Sequence, residues 1–271
     1  MKRYLKKVVF CSRDGADVMD GAGGQGTLYI VDTKQKLDQI KKMGLPVLAW
    51  LHEGNRDQDL SAAAYAVEDP LALDMDFYEK VYRREMHIFW EILETDRCLV
   101  REMVPEDAEA FEKIYRESEI CRYMKDFHVD AVGEAVYIRE YQAHYRFYEY
   151  GVWSIVLKET GEVIGRAGFL EADVDVSVDK PGKMTDAGIA KEEKGLPCLG
   201  YMIGVPWQRQ GLAYEVCRAL LQYAKEELGF EVVQLLIEKD NQASVGLAQK
   251  LGFTDGGNCC EMLQKVLHLK K

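Results

Sequence analysis

The chain predicts an α/β protein of two units, and three observations carry the prediction. At 271 residues it exceeds a typical single domain and can bury more than one core. Short β-branched or aromatic runs alternate with helical periods through roughly the first ninety residues, the pattern of a small parallel α/β layer. From Leu199 to Phe253, a short apolar strand, a glycine-punctuated basic turn, an amphipathic helix, a second strand and a second helix follow in order.

In the first unit, Val8 to Cys11 and Leu28 to Val31 read as strands, and Lys34 to Met43 as a helix stopped at Gly44. Pro46 to Leu51 and the shorter Tyr65 to Val67 read as further strands, and a helical period runs from Asp74 to about Leu93. The glycine-rich D-G-A-G-G-Q-G at 20–26 lacks the G-K-[ST] ending of a phosphate loop and reads as a connection.

A second unit is expected over 94–271. Arg97 to Met103 reads as a strand, and Pro105 with Glu106 and Asp107 opens a helix whose Ala110, Phe111, Ile114 and Tyr115 share a face. A tyrosine-rich helix spans roughly 132–150. Val152 to Leu157 and Val163 to Leu170 then form a hairpin across Thr160-Gly161. Residues 172–196 are charged and without periodicity, an excursion between strands.

Composition narrows the function classes. Apolar residues make up 48% and charged residues 30%, no apolar run reaches the ~20 residues of a membrane span, and M-K-R-Y-L-K-K-V-V-F-C-S carries no signal-peptide core. A cytoplasmic protein without a membrane partner is expected. The cysteines at 11, 98, 121, 198, 217, 259 and 260 form no C-x-x-C pair and have no histidine at metal spacing, so no metal is expected. The net charge of -11 disfavours nucleic acid and favours a cationic substrate.

The stretch L-Y-I-V-D-T-K-Q-K-L-D-Q-I-K-K-M-G-L-P-V-L-A-W, with Asp32 at a strand end before a helix, loosely resembles part of a haloacid-dehalogenase-like domain. That family uses a D-x-D nucleophile motif. Here Asp14 and Asp17 stand three apart, so the resemblance implies a scaffold over 1–93 without its own catalysis.

Gln208-Arg209-Gln210-Gly211-Leu212-Ala213 sits where a strand hands over to a helix with an apolar stripe at Leu212, Val216, Leu220 and Tyr223. A helix start offers unpaired N–H groups and the positive end of its dipole, so it can hold a diphosphate, with Gly211 permitting close approach and Arg209 adding charge. Joined to G-Y-M-I before it, E-V-V-Q-L-L-I-E after it and the closing N-x-x-S-x(6)-G-F, the turn makes 94–271 resemble the GNAT (GCN5-related N-acetyltransferase) family. E-T-D-R-C-L-V-R-E-M-V-P-E-D-A-E-A-F is similar to the branch acetylating ribosomal-protein N-termini and small amines.

The resemblance implies a mixed sheet splayed in its middle and flanked by helices. Acetyl-CoA would be the co-substrate, with its pantetheine arm along Tyr201, Met202 and Ile203 and its diphosphate on the amides of Arg209, Gln210, Gly211, Leu212, Ala213 and Tyr214. Asn241 and Ser244 match positions near the sulfur, and both also suit a helix start as caps. The family often has a Glu two residues before G-Y, where Cys198 stands, and a Tyr in the last helix, where Ala248 stands. The acid and base roles then fall to Glu171, Asp173, Tyr201 and Ser244.

The expected activity is acetyl transfer to a primary amine of a small molecule or peptide N-terminus, with a homodimer as the candidate assembly. A non-catalytic acyl-CoA-binding regulator and a phosphohydrolase working through the first unit are the alternatives.

Overall fold

The computed structural model describes residues 3–11, 25–123, 130–170, 196–259 and 262–269. Contacts divide the chain into Met1–Trp90 and Glu91–Lys271. Among the described residues no helix is long and apolar enough to cross a membrane.

The first unit holds β1 (Lys7–Cys11), β2 (Thr27–Val31), α1 (Lys34–Lys42), β3 (Val47–Trp50), β4 (Ala66–Val67) and α2 (Met75–Glu85). The strands lie in the order β1-β2-β3-β4 and all pair in parallel. Such a sheet is covered on both faces, which is why β2 reads T-L-Y-I-V and is buried throughout. Tyr29, Val31, Val47 and Ala49 pack with Leu37 and Ile40 of α1. Leu28, Ile30 and Leu48 pack with Tyr78, Val81 and Tyr82 of α2. Inside α2 the carboxylate of Glu79 accepts hydrogen bonds from Arg83 Nε and from the amides of Tyr4 and Leu5, each at 2.8 Å.

The expected helix from Asp74 to Leu93 stops early. His87 takes φ 56°, the His87 amide donates to Arg84 at 3.3 Å and the Ile88 amide donates to Arg83 at 2.7 Å. Those two reversed bonds close the helix, with His87 at the place glycine usually takes. Glu91–Glu94 form strand β5, the first element of the second unit.

The second unit continues with β6 (Cys98–Arg101), α3 (Ala108–Tyr115), α4 (Ser118–Cys121), α5 (Ala131–Tyr148), β7 (Val152–Leu157), β8 (Val163–Leu170), β9 (Cys198–Ile203), α6 (Leu212–Glu226), β10 (Val232–Glu238), α7 (Gln242–Lys250), β11 (Thr254–Cys259) and β12 (Met262–His268). Eight strands form one sheet in the order β11-β12-β10-β9-β8-β7-β6-β5. Every pairing is antiparallel except β9 with β10, which makes the sheet mixed.

Buried polar groups fix how α3 and α5 meet this sheet. Asp107, just before α3, takes both Arg101 guanidinium nitrogens at 2.6 and 2.7 Å and the Ser154 hydroxyl at 2.6 Å. Arg166 of β8 bonds Glu134 of α5 at 3.1 Å and lies over the rings of Phe111, Tyr115 and Tyr137. The tyrosines of α5 act as core and rim. Tyr145 is fully buried and bonds the carbonyl of Val152, whose amide donates to Tyr141 Oη at 3.0 Å.

Candidate active site

The sheet opens between its two parallel strands. Gln234↔Cys198 is the sole register pair of β9 with β10 among the described residues, so the strands part beyond it. Gln234 holds the apex: its amide donates to Pro197 at 2.9 Å, its side chain donates to Leu196 at 3.0 Å and accepts from Gln264 at 2.9 Å.

The phase of the β8 ladder decides what faces the gap. Gly204 N–H donates to the Ile164 carbonyl at 2.9 Å. In an antiparallel pair, residues alternate between bonding the neighbour and turning away from it. By the register of β8 with β9, Gly200 and Met202 therefore bond β8, while Leu199, Tyr201 and Ile203 turn their backbone groups toward the gap. Of the three strand residues singled out from sequence, Tyr201 offers a backbone edge without a partner strand among the described residues, while the Ile203 carbonyl is taken by Gln208 Nε2. Met202 offers a buried side chain instead.

At the carboxyl end of β9 the chain makes the basic turn. Arg209 has φ 59° and Gly211 φ 81°, two left-handed residues with Gln210 between them. Side chains secure the turn, Gln208 Nε2 donating to Ile203 at 2.9 Å and Gln210 Nε2 to Pro206 at 2.8 Å. The first helical bond is Glu215 N–H to Gly211 at 3.0 Å, and among the described residues the amides of Arg209 to Tyr214 have no protein acceptor. These free donors, at the start of a 15-residue helix, form an anion cradle.

The reactive end combines β9 and α7. Burial drives the Tyr201 phenol well above its ordinary pKa, the Ser244 hydroxyl opposes that rise, and the Cys217 thiol adds to it. Among the described residues Tyr201 Oη is buried without a hydrogen bond of normal geometry, so Ser244 acts on it as a near neighbour rather than a bonded partner. The helix cap belongs to Asn241, whose Oδ1 accepts from the Ser244 amide at 3.1 Å. Ser244 Oγ is therefore not spent on capping.

Two departures from the family pattern gain physical meaning here. Burial pushes the Cys198 thiol up to about 11, opposed by the Leu236 amide, so it is protonated near neutral pH. Ala248 is fully buried and carries no proton donor. Glu171, Asp173, Asp14 and Asp17 lie outside the described residues. Among the described residues no cluster of His, Cys, Asp or Glu is arranged to hold a metal ion.

Two further residues at the turn escaped the sequence reading. Arg97 bonds Glu215 through its amide at 2.9 Å and through Nε at 2.7 Å, and Nη1 donates to the Gln210 carbonyl at 3.0 Å. The two residues stand 118 positions apart, beyond any local pattern.

Comparison with known proteins agrees with this geometry. The acetyltransferase (GNAT) domain family matches residues 97–254, more than half of the chain. The uncharacterized N-acetyltransferase YoaA of Bacillus subtilis is 28% identical over 167 residues, covering 61% of this chain and 84% of its own length. A GNAT acetyltransferase from Bacillus anthracis shares the fold with a TM-score of 0.50 at 14% identity, over 67% of this chain and 98% of its own. A ribosomal-protein-alanine acetyltransferase from Vibrio fischeri superposes with a TM-score of 0.50 at 11% identity, over 65% and 95%. The family match leaves residues 1–96 outside, and the dehalogenase-like resemblance of that region gains no support. With a split mixed sheet, a left-handed basic turn and an uncommitted helix start inside the matched residues, the chain belongs to the GNAT acetyltransferases, enzymes that take their acetyl group from acetyl-CoA.

Proposed function

We propose that this protein is a cytoplasmic N-acetyltransferase that moves the acetyl group of acetyl-CoA to a primary amine by direct attack on the thioester. The observation that carries the reading is continuity. The amides of Arg209 to Tyr214, without a protein acceptor among the described residues, the open backbone edge of Tyr201 and its buried hydroxyl lie in order along one strand and its turn. Diphosphate, pantetheine arm and thioester follow one another in the same order.

In the reaction the amine nitrogen bonds the carbonyl carbon, the C–S bond breaks, the nitrogen loses a proton and the sulfur gains one. Tyr201, kept protonated by its raised pKa, and the uncommitted Ser244 hydroxyl serve the departing sulfur. The base is not Cys198, whose buried thiol is itself protonated, and a water chain or a group from 171–173 fills that role. Acceptors are cationic small molecules or peptide N-termini, in keeping with the net charge of -11 and with ribosomal-protein acetyltransferases among the structural neighbours. The first unit is a scaffold or regulatory module.

Incubating the protein with acetyl-CoA and an amine panel while following free thiol tests the proposal, and amine-dependent thiol release is expected. The second reading, a non-catalytic acyl-CoA-binding regulator, is favoured by Cys198 and Ala248. Acetyl-CoA binding without thiol release from any acceptor would select it.

A further inference from the structure

We propose that Arg97 is a positioning residue for the diphosphate: by fixing the Gln210 carbonyl it aims the Gly211 N–H into the anion cradle. The proposal rests on the reading of the Arg209 to Tyr214 turn as the diphosphate site.

The argument begins with the peptide plane. In a trans peptide the C=O of one residue and the N–H of the next point in opposite directions. Nη1 of Arg97 takes the Gln210 carbonyl at 3.0 Å, so the Gly211 amide is held pointing away from Arg97, and it has no acceptor among the described residues. That plane lies between the Cα atoms of Gln210 and Gly211, so its orientation is set by Gln210 ψ and Gly211 φ, and Gly211, at φ 81°, has the widest conformational freedom; the Arg97 bond fixes what the glycine alone leaves open.

Arg97 is itself held. Its amide and Nε bond the two carboxylate oxygens of Glu215 at 2.9 and 2.7 Å, and Nη2 also stands 2.7 Å from Oε2. Burial raises the Glu215 carboxyl, but hydrogen bonds from Thr95 and Arg97 outweigh it and hold the pKa below its ordinary value. Glu215 lies in the first turn of α6, where the helix dipole favours a negative charge. The start of the first family strand, the turn and the helix are thus tied by one guanidinium whose fork serves two acceptors at once. A lysine, with a single nitrogen, cannot reproduce this.

The test uses the full chain and two probes, CoA and pantetheine, which lacks the diphosphate. Calorimetry should show Arg97→Ala weakening CoA binding about ten- to a hundred-fold, the scale of one charge-assisted hydrogen bond lost or misdirected, with pantetheine binding within about two-fold. Arg97→Lys should lose CoA affinity nearly as far, and it carries the test if the alanine variant does not fold. Equal loss of CoA and pantetheine would show a merely structural role and overturn the proposal. So would wild-type CoA affinity in either variant. Failure of the wild-type protein itself to bind CoA would overturn the diphosphate site, and this proposal with it.

Discussion

Cys198 and Gln234 face each other as the single register pair of β9 with β10 among the described residues, and the parallel strands separate beyond them. The gap that follows is the feature from which the functional reading is built. It is maintained on one side by the β8 ladder and at its apex by the buried Gln234 amide.

Gln234→Leu keeps approximate volume but removes the donor to Leu196 and the acceptor for Gln264. A stability loss of about 1–3 kcal/mol is expected, the cost of disrupting buried hydrogen bonds. Urea denaturation of wild-type and variant protein measures it, and an unchanged midpoint would show that the apex is held by other contacts.

Cys198 stands where the family often has a carboxylate, and its thiol, raised to about 11 by burial, is no base at neutral pH. Cys198→Ser should therefore leave kcat within about two-fold. A loss beyond ten-fold, roughly, in a folded variant would return Cys198 to the mechanism.

Ser244 and Asn241 separate chemistry from capping. Because Asn241 Oδ1 caps α7, Asn241→Ala should cost about 1 kcal/mol and lower Tm by several degrees. Ser244→Ala should leave Tm nearly unchanged and lower kcat by roughly ten- to a hundred-fold, with Tyr201→Phe behaving alike. Since Tyr201 titrates well above its ordinary value, kcat should not fall from its deprotonation between about pH 7 and 9. Paired measurements of kcat and Tm decide, and an unchanged kcat would remove either side chain from the reaction.

In the first unit, Glu79 has a carboxyl that burial pushes up but that bonds from Arg83 and the Tyr4 and Leu5 amides hold below its ordinary value. A lowered folded-state pKa gives stability that is complete above the unfolded value of about 4.3 and lost as the pH falls through the folded one. Melting of this unit should therefore decline in acid from about pH 4.5 downward. Glu79→Gln should flatten that decline and cost about 1–3 kcal/mol near neutrality, because the buried hydrogen bonds from Arg83, Tyr4 and Leu5 lose their charged acceptor. An acid profile identical to wild type would contradict this assignment.

Local chemistry made much of this legible beforehand. The strand, turn and helix from Leu199 to Tyr223 carry their own signals, an apolar run, Gly211 and a helical stripe. The end of α2 was not legible, since His87 takes a left-handed conformation without glycine and the apolar period runs on to Leu93. The closing strands β11 and β12 likewise gave no reading, because Gly256 and Gly257 interrupt one and the other mixes polar with apolar residues without strict alternation. Arg97, Glu215 and Gln234 draw their roles from contacts between distant segments, which no window along the chain contains.

Binding of acetyl-CoA to Gly211→Asp and Gly211→Asn tests the central claim most directly. Both side chains tolerate φ 81° comparatively well, and a Cβ there would meet Arg97 Nη2 at an ordinary 3.6 Å, so the pair differs mainly in charge. Calorimetry should show the Asp variant losing roughly ten-fold or more in affinity, since a carboxylate there adds negative charge beside the cradle and draws Arg97 away from the Gln210 carbonyl, and the Asn variant losing far less. An Asp variant that binds acetyl-CoA with near wild-type affinity would contradict the placement of the diphosphate on the Arg209 to Tyr214 amides.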